Sequence, residues 1–133
     1  PGGALGKKLY LTLLDIANEN TIPSVPTAAT LSECIMAMTK GRMGAVVVLK
    51  EGKLAGIVTD GDLRRMLTKH TDIGDFKAED IMTANPKTLS ADTMAIEGVA
   101  FLNKNKINHI ILGHQGEVKG MVHIQDLIRE GLI

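Results

Sequence analysis

The sequence predicts an α/β fold, in the α+β sense, built from two copies of one strand-helix-strand-strand-helix unit packed with pseudo-twofold symmetry. Three observations lead there. The chain matches itself without gaps when slid by 64 residues, and each copy alternates one helical period with short β-branched runs. In addition, 44% of the 133 residues are hydrophobic while only Tyr10, Phe76 and Phe101 are aromatic, so the core must be aliphatic.

In the self-match, Met43–Leu63 lies over Ile107–Leu127. Gly52 falls on Gly116, Gly56 on Gly120, Val58 on Val122, Asp62 on Asp126, Leu63 on Leu127 and Arg65 on Arg129, with Glu33 on Glu97 and Lys40 on Lys104 upstream. Each copy opens with a short strand, near Ile22 to Val25 and Thr88 to Ser90. An amphipathic helix follows, carried by Leu31, Cys34, Ile35 and Met38 in the first copy and by Ile96, Val99, Ala100 and Leu102 in the second. Thr30-Leu-Ser-Glu33 has the spacing of a capping box, and the neighbourhoods of Gly41 and Asn105 are the expected helix ends. Two runs around a polar turn then read as a hairpin: Ala45–Leu49 with Leu54–Thr59, and His109–Leu112 with Val118–His123. A closing helix is expected over Asp60–Leu67 and over about Ile124–Glu130. One unit alone would expose an apolar sheet face, which pairing of two copies covers.

Bulk properties exclude several classes. Fifteen basic and fifteen acidic residues leave no net field for nonspecific binding to nucleic acid or to an anionic membrane, and the stacking platforms of single-strand binders are missing. Cys34 is the single cysteine, so neither an intramolecular disulfide nor a CxxC knuckle is available. No signal peptide or membrane-length apolar span is visible, and the expected compartment is the cytoplasm. There is no phosphate loop of Walker or Rossmann spacing, no HExxH and no nucleophile elbow. His70, His109, His114 and His123 are scattered without a ligand pattern, so no catalytic residue and no metal site are expected.

Thr59 and Asp62 are the leading candidates for ligand chemistry. They stand at a strand end and in the first turn of a helix, where a hydroxyl, a carboxylate and free backbone N–H groups converge. The same residue types cap helices, and both roles can coexist. Arg64 and Arg65 follow, able to reach a phosphate or carboxylate with a bidentate fork or to lie solvated on the helix. The second copy substitutes His123 for the threonine and keeps Asp126; His123 is read either as a ligand donor or as a half-buried strand-end residue. His109 opens a strand where the first copy has Ala45 and is a further candidate. Methionines read as core gap-fillers and Cys34 as an inert buried thiol.

The element order, the Gly56–Leu63 segment with its Thr-x-x-Asp-Leu, and the Asp80-Ile-Met-Thr83 run resemble the CBS domain pair, or Bateman module, over nearly all of the chain after about residue 14. Pro1-Gly-Gly-Ala-Leu-Gly-Lys-Lys-Leu9 and Thr59-Asp-Gly-Asp-Leu-Arg-Arg65 are similar to the C-terminal part of bacterial arabinose-5-phosphate isomerases, in which a sugar-isomerase (SIS) domain precedes two CBS repeats. The resemblance implies a linker over 1–14 from an absent SIS domain, repeats over 15–75 and 76–133, and a fragment without catalysis of its own. It implies an anionic nucleotide or nucleotide-sugar in a cleft between the repeats, AMP or ATP in general, and CMP-Kdo if the parent serves Kdo synthesis for lipopolysaccharide or capsule. No cofactor is required. In the family the Asp matching Asp62 accepts from ribose hydroxyls, and backbone matching Thr21–Val25 and Ala84–Thr88, here with Ile22, Pro23 and Pro86, lines the base. The implied partners are that ligand, the chain's own SIS domain and further copies of the chain. An alternative is an oligomerisation scaffold with no ligand, joined through helix faces such as Asp62–Leu67 and Asp126–Ile133.

Overall fold

The computed structural model describes residues 9–17 and 21–133; the Pro1-Gly-Gly junction motif lies outside the described residues. The elements follow the order α1 (Leu13–Ala17), β1 (Ser24–Pro26), α2 (Leu31–Gly41), β2 (Ala45–Lys50), β3 (Lys53–Thr59), α3 (Asp60–Lys69), α4 (Ala78–Ile81) and β4 (Thr83–Ala84). The second half continues with β5 (Thr88–Leu89), α5 (Ala95–Asn105), β6 (His109–His114), β7 (Glu117–His123) and α6 (Ile124–Arg129).

The repeat is visible residue by residue. β1 runs parallel to β2, as β5 does to β6, while β2–β3 and β6–β7 are antiparallel hairpins. Both hairpins turn on two residues of positive φ, Glu51 (52°) with Gly52 (80°) and Gln115 (52°) with Gly116 (83°). That is the pattern of a type I′ turn, which matches the twist of the strands it joins and favours glycine at its second position. A register shift falls between Val48 and Leu49 in one hairpin and between Leu112 and Gly113 in the other, the same place in each copy. α2 and α5 both end on a left-handed residue, Arg42 and Lys106.

The expected Thr30–Glu33 capping box is present: Thr30 Oγ1 accepts from the Glu33 N–H (3.1 Å) and Glu33 Oε1 from the Thr30 N–H (3.2 Å). α2 buries Leu31, Cys34 and Met38. Burial raises the Cys34 thiol above its ordinary pKa, with the neighbouring Glu33 charge adding to the effect. In α5 the inward stripe is Ala95, Gly98 and Leu102 with Val99 packed beside it, while Ile96 (46% exposed) and Ala100 face outward, so the helix is turned partly away from the face expected of Ile96, Val99, Ala100 and Leu102.

The reason for that rotation lies in α1. The chain forms two compact units, one of Ile22–Pro86, the other joining the described residues before Ile22 to Lys87–Ile133. The short helix leading each repeat therefore folds with the other repeat. Leu13 and Ala17 of α1 enter the core of Ala95, Leu102, Ile110, Leu112, Val122 and Leu127. A Cβ on Gly98 would stand 2.8 Å from Leu13 Cδ2, so the small residues of α5 leave the volume that α1 fills. In the first unit Ala78 of α4 joins the core of Val25, Leu31, Met38, Val46, Val58 and Leu63, and β4 adds a fourth strand in the order β1-β2-β3-β4.

Both docked helices are held by equivalent bonds. Leu13 and Leu14 donate to Thr93 and Ala91 carbonyls; Ala78 and Glu79 donate to Ala29 and Thr27 carbonyls. Each also starts with a carboxylate cap, Asp15 accepting from the Thr12 N–H (2.9 Å) and Asp80 from the Lys77 N–H (2.8 Å). Bonds from the Thr12 backbone, then from its side chain, hold Asp15 below the ordinary carboxylate range. The cap is thus intact above that range and is lost as acid protonates Asp15.

Candidate functional site

β3 delivers Thr59 to the start of α3, and the local chemistry locks the two together. Thr59 Oγ1 accepts from the Asp62 N–H (3.2 Å) and donates to Asp62 Oδ2 (3.1 Å), which also accepts from the Thr59 N–H (2.9 Å). Asp62 Oδ1 faces Arg65 Nη2 at 2.6 Å. Only 12% of the Asp62 side chain is exposed against 66% for Arg65, so a carboxylate held from behind by its cap is covered in front by an exposed cation. An ion pair with one partner this exposed contributes at most ~1 kcal/mol, so a ligand can displace the arginine without breaking the cap.

The second copy repeats the geometry with different chemistry. Asp126 Oδ2 accepts from the His123 N–H (2.8 Å) and Oδ1 from Arg129 Nη1 (3.2 Å), and Asp126 is buried at 7% exposure. The His123 ring replaces the threonine hydroxyl as cap, its Nδ1 accepting from the Gln125 N–H at 3.0 Å. Across the ladder His123 pairs with His109, the rings meeting edge to face with centroids 5.1 Å apart.

Of the residues expected from sequence, Ile22, Pro23, Thr59, Asp62, Arg64, Arg65 and Pro86 belong to the first unit and His109, His123 and Asp126 to the second. Thr59, Asp62 and Arg65 come together; Arg64 is exposed on the same helix and does not share in that bonding. Pro23 is buried, its carbonyl accepting from Val47 and its ring against Gly41. In the second copy the equivalent positions are Lys87 and Asn105, joined by a 2.9 Å hydrogen bond. Ile22 and Pro86 are half-buried at the two ends of the first unit. The sequence marks His109 and His123 as separate candidates, and the hairpin brings them together. The two-residue turn containing Gly116 by itself would set 109 opposite 122; the register shift between Leu112 and Gly113 moves it opposite 123, as the shift between Val48 and Leu49 moves 45 opposite 59. Among the described residues no group of three or more His, Cys, Asp or Glu is placed to hold a metal, and no helix is long and apolar enough to cross a membrane.

The family model described as CBS domain matches residues 15–69 and again 78–132. The chain belongs to the CBS domain family. This CBS pair, a regulatory type of module, is 37% identical over 136 residues to the arabinose 5-phosphate isomerase KdsD of Pseudomonas aeruginosa, a match taking in 100% of this chain and 42% of that protein. It is also 37% identical over 128 residues to the arabinose 5-phosphate isomerase KpsF of Escherichia coli, covering 95% of this chain and 39% of that one. The CBS pair thus spans well under half the length of these relatives. Among solved structures, a crystal structure of a CBS domain matches with TM-score 0.82 at 22% identity, over 92% of this chain and 98% of the other. A CBS domain protein from Pyrobaculum aerophilum complexed with AMP matches with TM-score 0.78 at 21% identity, over 88% and 90%.

Proposed function

We propose that this CBS pair is the sensing part of an arabinose 5-phosphate isomerase, binding an anionic nucleotide or nucleotide-sugar at Thr59, Asp62 and Arg65 and passing that occupancy to an SIS catalytic domain in the cytoplasm. The observation that carries the reading is Asp62: a carboxylate pinned by its own cap, nearly buried, with one oxygen covered only by an exposed arginine. Ribose hydroxyls would take the place of Arg65 on Oδ1. Arg65, released, and Arg64 beside it suit a phosphate or a sugar-acid carboxylate. AMP, ATP and CMP-Kdo all offer these groups. The AMP in the Pyrobaculum aerophilum protein and the isomerase relatives support the choice of ligand class and parent. A sensor works through differential affinity between two states of the whole chain, so binding here must change the energy of the attached domain.

Isothermal calorimetry of the chain with AMP, ATP and CMP-Kdo tests this. Heat is expected from at least one of them, lost in Asp62→Asn and retained in Asp126→Asn. No heat from any of the three, or heat indifferent to Asp62→Asn, overturns the reading.

A second reading, a scaffold that joins copies of the chain, is favoured by one observation: Leu67 and Ile133, on and after the closing helices, are 54% and 56% exposed. A solution mass above one chain without ligand, together with no heat in the titration, would favour it.

A further inference from the structure

We propose that His123 is a proton-operated helix cap, which makes the second CBS repeat responsive to pH where the first is not. The cap of α6 is a ring nitrogen, His123 Nδ1, accepting from the Gln125 N–H at 3.0 Å. An imidazole nitrogen accepts only while it carries no proton, so the cap requires the neutral ring with its hydrogen on Nε2. Protonation places an N–H where the Gln125 N–H already points. Two donors then face each other at the positive end of a helix, and the cap is lost.

The groups around the ring define where a proton on Nδ1 would act. His109 faces it from β6, with ring centroids 5.1 Å apart, so a second proton here meets the charge of the first. Asp126 and Arg129 face it from α6, joined to each other, and Asp126 Oδ2 already holds the His123 backbone N–H at 2.8 Å. Asp15, on the α1 helix packed against β7, is engaged in its own cap at Thr12. The Asp126 carboxylate, which already accepts the His123 backbone N–H, is an acceptor in the same helical turn, and protonation would exchange the bond to the helix backbone for one to that carboxylate. Asp126 is the residue equivalent to Asp62, so the proton acts on the second repeat's counterpart of the ligand site. In the first repeat the cap is the Thr59 hydroxyl, which does not titrate in the same range. The two repeats share one geometry and differ in what they respond to.

The inference does not depend on nucleotide binding, and its test uses the 133-residue chain without ligand. Nitrogen-15 NMR would follow the His123 ring and the Gln125 amide from about pH 8 to about pH 5, where histidine titrates. At the upper end the ring is expected as the Nε2–H tautomer. On acidification the Gln125 amide shift should move with the midpoint of the His123 ring, and its hydrogen exchange should speed up about fivefold once corrected for intrinsic rate, the factor for a cap contributing about 1 kcal/mol. His123→Thr, which installs the first repeat's cap, should keep Gln125 protected and remove the pH dependence. An Nδ1–H tautomer at the upper end, a Gln125 amide that ignores the ring's titration, or a pH dependence that survives in His123→Thr would overturn the proposal.

Discussion

The Thr59 hydroxyl gives its hydrogen to Asp62 Oδ2 and accepts the Asp62 N–H, so both halves of its chemistry serve the helix before any ligand arrives. The two readings of Thr-x-x-Asp are therefore layered: the capping bonds orient the carboxylate that a ligand would meet. Thr59→Ala removes both hydroxyl bonds and is expected to lower stability by about 1 kcal/mol, whereas Thr59→Ser keeps them and should lie within a few tenths of wild type. Urea midpoints of the three proteins check this, and equal losses for Ala and Ser would assign the effect to packing of the methyl group. This site was legible because the repeat offset marks 59 with 123 and 62 with 126, and because those residue types have few other uses at a strand end. The Arg65 and Arg129 contacts follow from their i, i+3 spacing to Asp62 and Asp126. What the residue types hid was a histidine acting as an N-cap, since capping is looked for in Ser, Thr, Asp and Asn.

At the scale of elements, the hairpins were readable from β-branched runs bracketing a glycine turn, and the helices from their caps. The inward face of α5 was readable only at Val99 and Leu102. Ala95 and Gly98 contribute little to an apolar pattern, yet they face inward because Leu13 arrives from elsewhere in the chain and occupies the space they leave. The repeated glycines Gly56 and Gly120 have the same purpose on the strands. A Cβ at Gly56 would lie 2.9 Å from the Thr83 carbonyl oxygen of β4; one at Gly120 would lie 3.1 Å from Ala17 Cβ of α1. Replacing glycine by alanine gains about 0.4–1 kcal/mol from the unfolded chain, and overpacking costs about 1–3 kcal/mol. The backbone oxygen beside Gly56 has the least room to move, so overpacking wins there. Gly56→Ala is expected to destabilise the chain and Gly120→Ala to be close to neutral. Chemical denaturation of both variants measures the difference, and the reverse order would show that β4 yields more readily than α1.

For the whole molecule, the exchange of leading helices decides which part depends on which. α1 precedes the first repeat in sequence but closes the core of the second, where Leu13 is fully buried and Ala17 nearly so. Removing residues 1–17 should therefore expose the second unit and spare the first. Hydrogen exchange of β6 and β7 amides is expected to accelerate far more than that of β2 and β3, and uniform acceleration would contradict the division into units. Self-alignment could not reveal this arrangement, because it compares stretches of chain and is blind to which stretch fills which cavity.

Reciprocal docking of α1 and α4 also bears on chain number. A lone repeat of this sequence carries a helix with no seat and a seat with no helix. Closing its core would require a second molecule, so its folding would vary with concentration. Joining the repeats in one chain makes both docking steps intramolecular, with an effective concentration in the millimolar range for a short flexible connection. Duplication here turned a problem of encounter into a property of connectivity.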